Sequence, residues 1–204
     1  MYIKKLLLCV LVFVGGTMHL LAQRKGKEKE KDQRIDTTMK VGKVGYRVSC
    51  RNKNPDKNTV TISPIGFDKD VRDFSFEVKG RVTKAEVDDL NRDGYPDLVF
   101  YYFNKDSIPK GNVVGISSEK NESVAPIQFP DIYNDPKLRI GYKGSDEFFL
   151  LEGYLIRRFP VYPVEGAPAS SEPGTLIRQI QYRVAPGESG GYSFKPLRSY
   201  EFSK

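Results

Sequence analysis

A short acidic segment carries the most recognisable chemistry in the sequence, because oxygen-bearing side chains recur at alternate positions and a clear strand pattern follows directly. The residues that would supply ligands are Asp89, Asn91, Asp93, Tyr95 and Asp97. Their spacing matches positions 1, 3, 5, 7 and 9 of a calcium-binding loop, in which position 7 contributes its backbone carbonyl. Gly94 stands at position 6 and allows the sharp turn that such a loop requires. The segment therefore predicts a possible calcium site.

The same segment departs from a complete calcium loop at its end. Position 12, where a helix-loop-helix site needs a bidentate Glu, is Phe100, and nothing after Asp97 has a helical pattern. The ligand set is therefore short of the six to eight oxygens that calcium prefers. Two interpretations remain open: a truncated calcium site, and a turn in which Asp and Asn side chains cap their own backbone.

The histidine and cysteine content restricts the catalytic chemistry. The single histidine is His19, which lies in an N-terminal leader, and the cysteines are Cys9 and Cys50. A domain that begins after the leader has no His for a Ser-His-Asp or Cys-His nucleophile, and it lacks the usual zinc ligands. A carboxylate-based hydrolase remains open as an alternative, although no Asp/Glu pair stands out from the other charged residues. We expect a protein that is not an enzyme and requires no cofactor.

The N-terminus has the parts of a secretory signal peptide. Lys4 and Lys5 precede a continuous apolar run at residues 6–14, and Ala22 provides a small residue for cleavage. The run is too short to span a membrane, and no later apolar stretch approaches that length. We therefore assign residues 1–22 to a signal peptide and expect a periplasmic or secreted protein without a membrane span.

A charged segment follows the predicted signal peptide. Residues 24–32 contain no apolar side chain and mix Lys and Arg with Glu28, Glu30 and Asp32. This composition is typical of a disordered tether, and the interleaved acidic residues argue against nucleic-acid binding despite a formal net charge of +7. We assign residues 23–40 to a charged disordered linker and residues 41–204 to one folded domain.

Alternating apolar and polar residues predict a series of short strands across the domain. The pattern is clear at residues 43–50, where alternate residues from Val44 to Cys50 share one face. Residues 98–103 are apolar on both faces, which is typical of a central strand covered on two sides. The other predicted strands span residues 59–65, 74–78, 82–87, 111–117, 148–151, 154–159, 176–184 and 192–202. With no convincing long helix and no internal repeat, the expected fold class is all-β, as a single antiparallel β-sandwich or flattened barrel.

Four sequence blocks resemble the periplasmic inhibitors of I-type (invertebrate) lysozyme. The first is the Asp-Leu-Asn-x-Asp-Gly-x-Pro-acidic run at residues 89–97. The others are Gly-x-Asp-x-Phe at 144–148, Leu-x-Arg-x-Phe-Pro-x-Tyr at 155–162 and Arg-x-Ile-x-Tyr at 178–182. No block is specific by itself, but their order and spacing together are similar to those of the family. Within them, Arg157 is expected to be a solvated or ion-paired strand residue.

The resemblance implies a non-catalytic β-sandwich, often dimeric, that blocks a lysozyme with a loop of Ser-Gly-x-Tyr sequence. In this chain the loop pattern matches Ser189, Gly190, Gly191 and Tyr192. A Ser hydroxyl and a Tyr phenol can donate hydrogen bonds to the two carboxyl groups of a lysozyme cleft, as sugar hydroxyls do. The two glycines keep the tip thin and permit positive φ. The resemblance thus implies a lysozyme partner and allows a homodimer.

Two alternatives remain open beside this interpretation. Residues 186–191 also have the composition of an ordinary hairpin turn with no partner. If residues 89–97 bind calcium, the domain would instead be a calcium-stabilised carbohydrate or cell-surface interaction module. That alternative predicts glycan binding and a calcium-dependent rise in melting temperature, and a lysozyme inhibitor does not require the glycan binding.

Overall fold

The computed structural model describes residues 33–163, 175–188 and 190–203, and within them it contains twelve strands and one 3₁₀ turn. The strands are β1 (Ile35–Val41), β2 (Val44–Cys50), β3 (Asn58–Ile65), β4 (Phe74–Val78), β5 (Arg81–Asp88), β6 (Asp97–Phe103), β7 (Gly111–Glu119), β8 (Ser123–Gln128), β9 (Glu147–Leu151), β10 (Tyr154–Pro160), β11 (Leu176–Pro186) and β12 (Tyr192–Ser203). The 3₁₀ turn, Ile132–Asn134, lies between β8 and β9. None of the described residues belongs to a helix with the length and apolar character needed to cross a membrane. The predicted signal peptide, linker residues 23–32 and Ser189 lie outside the described residues.

The described strands form two sheets. β1 to β4 pair in chain order as a four-stranded antiparallel sheet. The other eight strands pair in the order β5-β6-β7-β8-β12-β11-β10-β9, and each pair is antiparallel except β8 with β12. The prediction of an all-β sandwich or flattened barrel is confirmed, with this one parallel pair as the exception to antiparallel pairing. The parallel pair is short, since it joins only Tyr192 to Ile127 and Ser193 to Gln128.

The eight-stranded sheet curls until its two edge strands nearly meet. Glu86 of β5 accepts a hydrogen bond from the Leu150 N–H of β9 at 3.3 Å and another from the Tyr101 hydroxyl at 2.7 Å. Beside it, Asp88 accepts a hydrogen bond from the Gly153 N–H at 3.1 Å. Carboxylates therefore bridge the seam between β5 and β9, and they satisfy donors that an open sheet edge would expose.

Two apolar cores are separated by β6, which is apolar on both faces as its sequence predicts. Leu98 and Phe100 belong to the core shared with the four-stranded sheet. Val99 and Tyr101 belong to the core enclosed by the eight-stranded sheet. None of these four side chains is more than 1% exposed. Burial of each such side chain contributes on the order of 1.5–3 kcal/mol, so β6 stabilises both layers at once.

The folded domain begins earlier than the sequence predicts. Residues 35–40, which the linker prediction includes, belong to β1, and β1 pairs along its whole length with β2. The linker prediction is therefore wrong at its C-terminal end. Polar residues suggested disorder there, but they alternate with Ile35 and Met39, which pack against the core of the four-stranded sheet.

The structure also contains a strand where the sequence shows no clear periodicity. β8 lies between β7 and β12 and includes Pro126, which has no N–H to donate to a ladder. The proline is tolerated because the pairing of β8 with β12 begins after it, at Ile127. Tertiary pairing therefore makes a strand from a segment whose local pattern does not predict one.

Candidate functional site

The connection between β11 and β12 is a narrow hairpin with an exposed tip. The last strand pair joins Pro186 to Tyr192. Beyond it, the Gly187 N–H donates to the Gly191 carbonyl at 2.9 Å and closes the turn. Gly190 and Gly191 have φ of +86° and +69°, and a Cβ added to either would meet no atom within 4 Å. These glycines are therefore needed for the positive φ of the backbone and not for close packing. Without side chains, they also leave the tip thin.

The predicted binding residues occupy different parts of this hairpin. Gly190 and Gly191 are exposed at the tip, whereas Ser189 lies outside the described residues. Tyr192 is half-buried at the base, where it packs against the core of the eight-stranded sheet and pairs with Ile127 of β8. Tyr192 thus anchors the hairpin to the sheet, a role that the sequence did not predict.

Two further segments reach the same end of the eight-stranded sheet as the hairpin. Leu90 of the acidic segment, Gly153 of the β9–β10 turn and Val184 of β11 line one cavity of about 230 Å³. The Arg92 guanidinium donates to the Tyr154 hydroxyl at 2.6 Å and lies over the same ring, 5.1 Å from its centroid. We call this end the loop rim and define it by residues 89–97, 152–154, 187, 188, 190 and 191.

Within the loop rim, the acidic segment forms a turn in which the backbone donates to its own side chains. Asp89 accepts hydrogen bonds from the N–H groups of Asp93 and Gly94 at 3.0 and 2.9 Å. The Asn91 side-chain oxygen accepts from the Asp93 N–H at 3.1 Å. Asp93 in turn accepts from the Tyr95 N–H at 2.9 Å. These are the hydrogen bonds of the Asx-type turn that the sequence left open as one interpretation.

Asp97 differs from the other acidic residues of this segment because it is completely buried. Its Oδ2 accepts from the N–H groups of Leu90 and Asn91 at 3.0 and 3.3 Å, and its Oδ1 accepts from the Ser118 N–H at 2.9 Å. Burial raises the pKa of Asp97 to about 6, although the three backbone donors act to lower it. Asp97 therefore ties the acidic segment to β7 at the start of β6.

The acidic segment does not assemble a calcium cage in this arrangement. Among the described residues, no three His, Cys, Asp or Glu side chains are grouped so that they could hold a metal ion. Both carboxylate oxygens of Asp89 and of Asp97 accept backbone hydrogen bonds, so a cation would have to displace these donors. Calcium binding at this segment stays a prediction that requires such a rearrangement.

At the opposite end of the eight-stranded sheet, three of the family-like blocks meet around a buried ion pair. Arg157 Nε donates to Asp146 Oδ1 at 2.7 Å, and neither side chain is more than 3% exposed. Asp146 Oδ2 accepts from the Tyr142 hydroxyl and from the Gly111 N–H, both at 2.7 Å. The carboxylate therefore has three donors, which offsets much of the cost of burying its charge.

Aromatic rings enclose the guanidinium of Arg157. Its Cζ lies between 4.9 and 5.8 Å from the ring centroids of Phe129, Tyr142, Phe148 and Phe159. Burial lowers the pKa of Arg157, but the charge and hydrogen bond of Asp146, together with Tyr182 and Tyr142, raise it overall, so the guanidinium stays charged. Arg157 is ion-paired, as expected, but it is buried and not solvated. The signal was present in the sequence, because Leu155, Arg157 and Phe159 alternate on one face of β10.

A second arginine holds the chain near the 3₁₀ turn. Arg178 Nη1 donates to the carbonyl oxygens of Leu138 and Ile140 at 2.7 and 2.8 Å. Arg178 Nε donates to Glu201 of β12 at 2.9 Å. The residues singled out in the last three family-like blocks therefore build the interior of the domain and leave the loop rim as its exposed polar end.

Comparison with known proteins adds no assignment, since neither the family models nor the curated proteins that were searched match this sequence. The resemblance to lysozyme inhibitors therefore rests on the four sequence blocks alone. Of the described regions that the sequence singled out, the loop rim combines exposed polar groups with a rigid base, which are the properties that a binding surface needs.

Proposed function

We propose that this protein is an exported binding protein that inhibits an I-type lysozyme by inserting the β11–β12 hairpin into the active-site cleft. The observation that carries the proposal is the shape of the hairpin. Its tip is thin and exposed, and its base is held by the pairing of Tyr192 with β8. A hairpin whose base is held in one position loses less conformational entropy on binding than a free segment does, which favours affinity.

The chemistry of the hairpin suits a cleft that contains two carboxyl groups. The hydroxyls of Ser189 and Tyr192 are donors of the kind that a sugar substrate presents to those carboxyls. Because the ring of Tyr192 packs against the core of the eight-stranded sheet, we expect its hydroxyl and not its ring to contact the enzyme.

The loop rim extends the contact surface beyond the hairpin. Arg92 and Tyr154 stack on each other at this end, and Arg183 is exposed beside the same cavity. Arginine and tyrosine are enriched among the residues that dominate binding energy at protein interfaces. The rim also exposes the carboxylates of Asp93, Glu152 and Glu188, so it presents both signs of charge to a partner and does not by itself select a basic or an acidic target.

The test measures muramidase activity in the presence of the purified protein, across a panel of lysozymes of different types. We expect near-stoichiometric block of an I-type enzyme. The variant S189A/Y192F removes both hydroxyls and keeps the ring that anchors the hairpin. Loss of two hydrogen bonds to charged groups should weaken inhibition about tenfold or more.

Tyr133→Phe is the matched control for the loss of a tyrosine hydroxyl. Tyr133 is 45% exposed and contacts the ring of Tyr142, at the end of the sheet that carries the buried ion pair. This variant should inhibit as the parent does. If S189A/Y192F inhibits as well as the parent, the hairpin is not the inhibitory loop. If the parent inhibits no lysozyme in the panel, the proposed function is wrong.

A further inference from the structure

The outer face of the four-stranded sheet forms a polar recess that the proposed function does not use. The recess has a volume of about 820 Å³ and extends over β1, β2, β3 and the loop that follows β2. Ser49, Thr59 and Thr61 line it with hydroxyl groups, on the face opposite to the apolar core. No aromatic side chain is among the described residues of its lining.

The lining of this recess is strongly cationic. Its described charged residues are Arg34, Arg47, Arg51, Lys53 and Lys57, with Asp36 as the carboxylate. Asp36 is occupied by Arg47, whose Nε and Nη2 each donate to it at 2.8 Å. Lys57 contacts Glu77 of β4 at 2.7 Å. Arg51 and Lys53 are exposed and have no ion-pair partner among the described residues, so the recess holds uncompensated positive charge.

Hydrogen bonds fix the loop that carries Arg51 and Lys53. Between them, the side-chain amide of Asn52 donates to the carbonyl oxygens of Gln33 and Val82 at 2.8 and 2.7 Å. The same side chain accepts from the Val82 N–H at 2.9 Å. The loop is thereby held against β5 and against the chain that leads into β1. Like charges gathered on a fixed backbone repel each other, and an anion bound between them would remove that cost.

We propose that this recess binds a sulfated polysaccharide chain. Arginine, lysine and hydroxyl groups donate hydrogen bonds to the oxygens of a sulfate group. A polysaccharide with several sulfates also supplies the negative charge that would neutralise the cations of the recess. Single-stranded nucleic acid fits less well, because its bases stack on aromatic rings that the described lining does not contain. Duplex DNA is contacted by elements that protrude into its grooves, and membrane surfaces take up apolar side chains. A concave polar recess suits neither.

The test measures binding of a fluorescein-labelled heparin oligosaccharide to the purified protein, with chemically desulfated heparin and neutral dextran as reference glycans. We expect heparin binding that weakens steeply as NaCl rises from about 50 mM to about 300 mM, because salt screens the charges and competes for the cations. At equal salt concentration, the variant R51E/K53E should bind heparin at least about tenfold more weakly than the parent does. The milder R51Q/K53Q should change binding in the same direction.

The variant K137E/R183E is the matched control. Lys137 and Arg183 are exposed, lie outside the four-stranded sheet, and give the same change in net charge. This variant should bind heparin within about threefold of the parent, since its charges lie away from the recess. The proposal is overturned if both charge-reversal variants lose binding equally or if desulfated heparin binds as tightly. It is also overturned if duplex DNA or anionic phospholipid vesicles displace heparin at lower concentration than unlabelled heparin does.

Discussion

Apart from the buried Asp97, the two ends of the eight-stranded sheet hold their charged side chains in opposite environments. At one end, Arg157 and Asp146 are buried inside a shell of aromatic rings, and the carboxylate accepts three hydrogen bonds. At the other end, the loop rim exposes Gly190, Gly191 and the side chain of Arg92. Buried charges that are paired and hydrogen-bonded have their partners within the fold, whereas exposed groups are available to a partner molecule.

This contrast separates family-like blocks that lie in the interior of the domain from segments that lie on its surface. The blocks that contain Asp146, Arg157 and Arg178 form contacts inside the domain. Their resemblance to a family is therefore a resemblance of scaffold. The hairpin tip is different, because a Cβ added to Gly190 or Gly191 would meet no atom within 4 Å. Packing therefore does not constrain these two positions, and turn geometry and binding to a partner remain as reasons for glycine there.

The largest expected effect is the loss of the buried arginine. Arg157→Met keeps a long side chain but leaves the Asp146 carboxylate without its cation. The free energy of unfolding should fall by about 3–5 kcal/mol, as measured by urea denaturation. Arg183→Met, at an exposed position of β11, should change it by less than about 0.5 kcal/mol. Equal stability of the two variants would show that the buried arginine at one end matters no more to stability than an exposed arginine does.

The next effect concerns the arginine that holds the chain after the 3₁₀ turn. Arg178→Met removes the donor from the carbonyl oxygens of Leu138 and Ile140. Loss of these bonds and of the Glu201 pair should cost about 1–3 kcal/mol in the same denaturation measurement. We also expect faster proteolysis within residues 135–142, because Arg178 no longer holds that segment. Unchanged stability and proteolysis would show that this end does not depend on its buried charges.

Asp97 is the buried carboxylate of the loop rim, and its titration gives a pH-dependent test. Burial raises its pKa from 3.8 to about 6, so the native state binds this proton more tightly than the unfolded state. The resulting stability is present below pH 4 and is lost as the pH rises through about 6. Relative to Asp97→Asn, the free energy of unfolding of the parent should fall by about 1–3 kcal/mol between pH 4 and pH 7. A rise over that range would mean that the three backbone donors outweigh burial.

A wider hairpin tip should affect stability slightly and binding strongly. Gly190→Val should cost about 1–2 kcal/mol, because φ of +86° is unfavourable for a residue with a Cβ and no neighbouring atom clashes with it. If the tip enters a lysozyme cleft, the inhibition constant should increase by more than that cost explains. Thermal melting reports the first quantity and the muramidase assay the second. Undiminished inhibition would count against insertion of the tip.

The smallest expected effect is that of calcium on the loop rim. The carboxylates of Asp89 and Asp97 accept backbone hydrogen bonds, so about 1 mM calcium should shift the melting temperature by less than about 1 °C relative to a chelator. Differential scanning calorimetry provides the measurement. A clear rise would instead favour the truncated calcium site and the interaction-module alternative.

Local patterns predicted much of the fold. β4 occupies residues Phe74–Val78, as its alternation predicts, and the turn between β9 and β10 falls at Glu152 and Gly153. Both depend on a few neighbouring residues, whose spacing and turn chemistry can be read directly. β1 was missed because its polar outer residues have the composition of a linker, although its partner β2 follows directly in the chain, and β8 was missed because its pairing with β12 joins residues far apart. β1 is an edge strand with a polar outer face, and β8 contains Pro126 between two other strands.

By itself the sequence determined an all-β domain, a central strand apolar on both faces, and a glycine-rich hairpin near its C-terminus. Only the tertiary structure decided that Arg157 and Asp146 are buried and that the acidic segment shares one end with the hairpin. The physical reason is that a two-residue period shows which side chains share a face of a strand. Whether that face is covered depends on how the eight-stranded sheet curls from β5 to β9, through contacts between residues far apart in the chain.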